Sequence, residues 1–263
     1  MTKLNLSYRD FKDFALHPYR FGCHCIDKSL PIPDMTTDQI NTMLLHRLIV
    51  TPSEVPAGFA VLDFPDRRTD AYKKAHAAAL GSGLRPVLAK DVIGLAQHAE
   101  SVRSVPLAQR ALADGRNHSV AFTRVEGDVT FSASPPLSVS DDLFADPGAV
   151  ILVQQVADLS TTVGTARHAL WALKAAYCAW VGGQKDQFLV AVENSAPFST
   201  MTIRFSPDNV KYIQGIVNKM TQLIKDGSWK AYRHLHPQYV NNPSIIPYTD
   251  AHPAQWGIFS GEN

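Results

Sequence analysis

The chain has 263 residues, of which 45% are hydrophobic and 19% charged, with a formal net charge of +1. This excludes wholesale disorder and leaves no global basic field for a polyanion, so a nucleic-acid surface would have to be a local patch. The length suits one large domain or two small ones. No apolar run approaches the ~20 residues that span a bilayer. The opening MTKLNLSYRDF turns polar at once and does not read as a signal peptide, and three cysteines make no disulfide framework. A soluble cytoplasmic protein is expected.

In chain order, Ser7 to Leu16 reads as a short helix capped by Ser7 and closed by His17-Pro18. A loop from Arg20 to Asp34 carries Cys23-His24-Cys25. Thr36 and Gln39 have capping-box spacing and start a helix with Ile40, Met43, Leu44, Leu48 and Ile49 as its apolar positions, ended by Pro52. Phe59 to Phe64 is a strand, Thr69 to Leu80 an alanine-rich helix stopped by Gly81, and Arg85 to Leu88 a short extended piece. Asp91 to Val105 and Pro106 to Ala113 are helices, the second with proline in its first turn.

The middle of the chain changes character. Asn117 to Arg124 and Val129 to Ser134 are strand-like and joined across Glu126-Gly127-Asp128, which suits a tight hairpin. Pro135 to Pro147 reads as a loop. Ala149 to Val153 is a continuous apolar run after Pro147-Gly148, the pattern of a strand buried on both faces. A polar turn, Asp158 to Thr162, leads into a helix over Thr165 to Val181 ended by Gly182-Gly183, with Leu170, Leu173, Tyr177 and Trp180 as its core face. Asp186 to Glu193 and Thr200 to Phe205 are two further strands linked through Ala196-Pro197. Ser206 to Lys225 is an amphipathic helix with Ser206 as cap, Pro207 as first residue and Gly227 after its end. The expected organisation is one α/β (α+β) domain over residues 1–230. Residues 1–113 form its mostly helical part, 114–230 hold a mixed central sheet flanked by helices, and 231–263 form an extended tail.

Four segments, taken in order, resemble a known family. Leu44-Leu45-His46-Arg47-Leu48-Ile49-Val50-Thr51-Pro52-Ser53-Glu54 is similar to the ALH-x-LLLEPE segment of RecE-type phage exonucleases (exodeoxyribonuclease VIII). Phe64-Pro65-Asp66-Arg67-Arg68-Thr69 resembles their RRT segment. Asn117-His118-Ser119-Val120 stands where they carry ESS, and Phe188 to Pro197 resembles their strand ending in E-x-x-P. The likeness runs over roughly residues 7 to 230. It implies a PD-(D/E)XK nuclease fold that processes or grips a DNA end, and an assembly into a ring-shaped tetramer.

The chemistry of that family uses acidic ligands for Mg²⁺, which stabilises charge on the phosphate and lowers the pKa of the attacking water, with a lysine two residues after one acid. Carried over residue by residue, the acid of ESS becomes Asn117. The aspartate of the family's RPD segment becomes Pro136, and the aspartate and lysine of D-x-K become Leu152 and Gln154. Leucine and proline offer no side-chain oxygen to a hard cation. His46 is retained, but one neutral imidazole is a poor site for Mg²⁺. The resemblance thus implies a nuclease scaffold without its catalytic groups, and no cofactor. Lys174, one turn from Leu170 and Tyr177 where the family has glutamine, is a candidate migrated lysine; Asp128, Asp141, Asp142 and Asp158 are candidate migrated acids for an Mg²⁺-dependent exonuclease.

Two further clusters have competing readings. Cys23-His24-Cys25 could open a zinc site, but such sites want four ligands in well-spaced pairs, and Cys178 is the only other cysteine; a packed loop or core role is favoured. His234 and His236 are poorly spaced for shared coordination. Arg67-Arg68 with Lys73-Lys74 is either a phosphate grip, joined by Lys174, or a solvated helix face. The expected partner is DNA, with duplex ends first, or alternatively a host or phage protein on the same scaffold.

Overall fold

The computed structural model describes residues 4–31, 34–52, 56–113, 120–139, 148–162 and 166–229, the side chains of 166–168 excepted. The chain opens with a strand, β1 (Leu4–Ser7), then α1 (Tyr8–Leu16), α2 (Pro18–Phe21) and a π-helical turn over Gly22–Ile26. Helix α3 (Thr37–Val50) follows, then β2 (Phe59–Leu62), α4 (Asp70–Gly81), β3 (Arg85–Leu88), α5 (Ala89–Arg103) and α6 (Pro106–Ala113). The second half holds β4 (Phe122–Glu126), β5 (Val129–Ala133), β6 (Leu137–Val139), β7 (Ala149–Val156), α7 (Ala166–Gly182), β8 (Asp186–Glu193), β9 (Thr200–Phe205) and α8 (Asn209–Asp226).

Local chemistry accounts for most of these boundaries. Ser7 N–H and Oγ both donate to the Asp10 carboxylate, at 2.8 and 2.7 Å, and start α1. Thr36 and Gln39 exchange the reciprocal pair at the start of α3, with Gln39 N–H donating to Thr36 Oγ1 at 3.3 Å and Thr36 N–H to Gln39 Oε1 at 2.8 Å. Gly127 takes φ +60° in the β4–β5 hairpin, and Gly227 takes φ +64° to end α8, conformations that glycine adopts without steric cost.

Strands order as β1-β5-β4, β2-β3 and β6-β7-β8-β9. Within the last sheet β7 and β8 run parallel, while β6 and β9 are antiparallel to their neighbours. Parallel neighbours cannot be joined by a hairpin, and α7 supplies the crossover. Side chains alternate along β7, as strand geometry requires. Val150 and Leu152 enter one apolar cluster with α1, α7 and α8; Ala149, Ile151 and Val153 enter the other with α3, α5 and α6. The strand is therefore covered on both faces, as its uninterrupted apolar run predicts, and the fold is mixed α/β.

Several expectations need correction. The chain's first residues form a strand that the sequence did not indicate, β1, which pairs in parallel with β5 across 125 positions of sequence (Leu4↔Val129); the strand expected at Phe59 and the extended piece at Arg85 to Leu88 pair with each other as β2 and β3. Arg20 to Asp34 is not simply a loop: α1 does end at Leu16 with His17 as its cap, but Pro18 then opens α2, and α2 and the π-helical turn occupy the first part of the expected loop. The Pro135 to Pro147 loop contains β6, since a three-residue strand backed by β7 requires no periodic signal of its own. Ser206 and Pro207 precede α8, which begins at Asn209; Ser206 Oγ instead accepts from Asp208 N–H at 3.3 Å. Of the strand expected over Asn117 to Arg124, residues 117–119 lie outside the described residues and β4 begins at Phe122; Gly81 is the last residue of α4 rather than its stop. Helix α7 has no single core face: Ala172, Ala175, Ala176, Cys178 and Ala179 are buried along with Leu173, Tyr177 and Trp180, while Leu170 is only half-buried. The tail with His234 and His236 lies outside the described residues.

Candidate functional site at the exit of the central strand

Strand β7 outruns its neighbour β6. Their register ends at Leu137↔Ile151, whereas pairing with β8 continues to Val156↔Glu193. From Leu152 onward β7 keeps a strand partner on one side, and α3 reaches in on the other. His46 Nε2 lies 3.2 Å from the Val153 carbonyl oxygen. A carbonyl only accepts, so Nε2 carries the proton and Nδ1 of the neutral ring is left as an acceptor. Burial, then the positive charge of Lys174, push the His46 pKa down to about 4; the bond to Val153 works against that shift.

Leu152 is 2% exposed and packs under α7. Gln154 shares its strand face, is half-buried, and donates from Nε2 to the Gln155 carbonyl at 3.4 Å. Pro136 is buried between β5 and β6. Asn117 falls outside the described residues, as do Asp141 and Asp142.

Lys174 comes to this place from α7. Its Nζ lies 5.9 Å from the Tyr8 ring centroid. The Tyr8 hydroxyl donates to the Leu170 carbonyl at 3.1 Å, fastening α1 to α7 one turn before Lys174. Tyr8 is held protonated far above its ordinary range, by burial first. Lys12, one turn along α1 from Tyr8, is half-buried, and its pKa is lowered mainly by desolvation. His46 and Gln154 thus stand at the end of β7, Lys174 acts on His46 from α7, and α1 brings Tyr8 beside Lys174 and carries Lys12 one turn further on. Sequence reasoning missed Tyr8 and Lys12, because nothing in a nine-residue helix says which distant helix it will touch.

Other expected site residues lie elsewhere. Arg67 bonds Asp91 at 2.5 Å, Arg68 bonds Asp66 at 3.1 Å and Lys73 bonds Asp70 at 3.3 Å, while Lys74 is exposed on α4. Asp128 closes the β4–β5 hairpin, its carbonyl accepting from Leu4 N–H at 3.2 Å. Asp158 accepts from Ser160 N–H and Oγ, both at 2.7 Å, and these bonds hold its carboxyl below the ordinary carboxylate value. Cys23 is buried in the π-helical turn. Cys25 donates its S–H to Asp10 at 3.3 Å, and burial, then that carboxylate, push its thiol up to about 12. Burial pushes Cys178 up to about 11. Cys25 and Cys178 are thereby held in the thiol form. Among the described residues no group of three or more His, Cys, Asp or Glu side chains is placed to hold a metal ion.

A separate groove of about 840 Å³ opens between β1, the π-helical turn, the β4–β5 hairpin and the end of α8, with Leu6, Asp10, Cys25, Glu126 and Lys225 among its walls. The sequence offers no periodic or motif signal for it, since its walls come from four separate segments. Among the described residues no helix is long and apolar enough to cross a membrane.

No family model matches the chain. No curated protein matches it. Among solved structures, the chain is similar to a "Putative exonuclease" from Eubacterium rectale, at 11% identity and a TM-score of 0.49, over 86% of this chain and 83% of that one. A second likeness, to SSO0001, has 13% identity and a TM-score of 0.33, over 70% of this chain and 86% of that one.

Proposed function

We propose that this chain is a RecE-type nuclease-fold protein of phage or prophage origin whose catalytic centre is degenerate and which binds DNA, including DNA ends, in recombination or replication. The observation that carries the reading is Leu152. In the family's pattern this position holds a metal-binding aspartate. Here it is an aliphatic side chain, 2% exposed and packed beneath α7, so it can neither reach nor charge-compensate a divalent ion. Gln154, where the pattern has lysine, spends its amide on a neighbouring backbone carbonyl. A lysine does stand nearby, at Lys174, and supplies positive charge without a metal.

The test is direct. Purified protein with Mg²⁺ or Mn²⁺ should leave linear duplex DNA intact while shifting it on a gel, with affinity falling steeply as salt rises. Processive digestion abolished by EDTA would replace this reading with an exonuclease that uses migrated ligands. A second reading, a protein-interaction module such as an inhibitor of a host nuclease or defence complex, is favoured by one observation: Arg67, Arg68 and Lys73 are each already bonded to an acid. No gel shift at low salt would select it.

A further inference from the structure

Strand β1 stands at the edge of its sheet, which orders β1-β5-β4. Leu4 N–H donates to the Asp128 carbonyl at 3.2 Å, with Leu4 in register with Val129. In a parallel pair alternate residues bond the neighbouring strand. The peptide groups of Leu4 and Leu6 therefore face β5, and those of Asn5 point to the open side. Asn5 is exposed and stands in the wall of the groove of about 840 Å³. An open edge is a template for a further strand, and proteins blunt such edges with charge, proline or cover. The other edge of this sheet, β4, carries the ion pair of Arg124 and Glu126 at 2.8 Å. The sequence of β1, Leu-Asn-Leu-Ser, has neither charge nor proline, so its edge calls for cover. The groove beside it has apolar walls that include Ile26 and Ile224, and charges of both signs, Asp10 and Asp128 against Lys28 and Lys225. Such a lining suits an uncharged strand with apolar side chains and does not suit a polyanion.

The chain leaves its described fold beside this groove. Ile224 and Lys225 in the groove wall belong to the last turn of α8, which ends at Asp226. Trp229 then packs on Gly22, at the start of the π-helical turn whose His24, Cys25 and Ile26 form another wall. Residues 230–263 follow, more chain than a return across the groove requires. Within them Ala254-Gln255-Trp256-Gly257-Ile258-Phe259 has no charge and no proline, and Trp256 and Ile258 have the two-residue spacing that puts side chains on one face of a strand. We propose that residues 254–259 add as a strand to the open edge of β1, with Trp256 and Ile258 in the groove against Ile26 and Ile224, and with the Asn5 N–H and C=O taken up by backbone hydrogen bonds. This seat for the chain's own segment is independent of what the end of β7 binds.

Hydrogen exchange at the Asn5 amide, followed by NMR on the full chain, tests this. In wild type that amide should exchange about tenfold or more slowly than in the double variant Trp256→Asp/Ile258→Asp, whose segment cannot enter an apolar groove. Ile224→Asp, from the groove side, should speed the same exchange. An Overhauser contact between the Trp256 ring and the Ile224 methyls should be present in wild type, and both it and the protection of Asn5 should be independent of protein concentration. Protection that weakens on dilution, with a dimer mass in light scattering, would assign the groove to a second copy and overturn the proposal. Equal Asn5 exchange in wild type and the double variant, fast or slow, overturns it too, as does the absence of the Trp256–Ile224 contact. If Ile224→Asp fails to fold, the double variant and the Overhauser contact decide, since Trp256 and Ile258 belong to neither apolar cluster.

Discussion

The pH dependence of stability gives the sharpest test of the site geometry. His46 is bonded to the Val153 carbonyl and faces Lys174 on α7, with Arg47 beside it on α3; its pKa falls from the ordinary 6.5 to about 4. A depressed histidine favours the neutral form in the folded state. The unfolded chain therefore binds the extra proton first as pH falls. Stability tied to His46 is fully present above pH 6.5, declines as pH drops through the interval between 6.5 and about 4, and is gone below it. The whole interval corresponds to about 3 kcal/mol, an upper figure because the ring is only half-buried. His46→Gln keeps an N–H for the Val153 carbonyl but cannot titrate. Urea unfolding of both proteins at pH 7, 6, 5 and 4 should show the wild type losing up to about 3 kcal/mol more than the variant over that range. Parallel stability profiles would show that His46 is not held neutral against Lys174, and the arrangement described for the end of β7 would be wrong.

Three further outcomes are expected. Leu152→Asp, which places at a position 2% exposed the acid that the proposed nuclease pattern would have there, should cost at least ~3 kcal/mol in urea unfolding, because it removes a core side chain and buries a carboxyl without a partner. A Cβ at Gly22 would lie 2.0 Å from a ring carbon of Trp229, so Gly22→Ala should displace that indole and shift the tryptophan emission to longer wavelength; an unchanged spectrum would place Trp229 elsewhere. Tyr177→Phe removes a hydroxyl that donates toward the Ser132 carbonyl at 3.0 Å and lies 3.4 Å from that of Leu6, the residues through which β5 and β1 meet the central helix. It should cost about 1 kcal/mol, measured as a lower urea midpoint with an unchanged slope.

Legibility followed the range of the forces involved. The Ser7 cap and the Thr36–Gln39 capping pair act within three residues and were readable from the sequence alone, as was the hairpin at Gly127, while the Asp10 carboxylate that Ser7 bonds came from the structure. The burial of β7 on both faces followed from an apolar run too dense for alternation. The strand β6 was not readable: three residues after two prolines carry no period, and only the facing strand makes them a strand. The π-helical turn was masked for a similar reason. Its sequence reads as a packed loop, and the reason that Gly22 stands there is tertiary: a Cβ would meet the ring of Trp229, more than 200 positions away.

At the candidate site the resemblance to a nuclease pattern implied Leu152 for an acid, Gln154 for a lysine and His46 as a matching histidine; the residue types themselves are fixed by the covalent chain, and the correspondence belongs to the proposed function. That Lys174 would act on His46 from α7, and that the first helix would bring Tyr8 beside Lys174, depended on α1 docking against α7 and on β7 running past β6. Short-range hydrogen bonding and hydrophobic period are written in consecutive residues; which helix faces meet is settled only when the whole core packs, since burial is non-directional and many pairings satisfy it equally until the sheet imposes one.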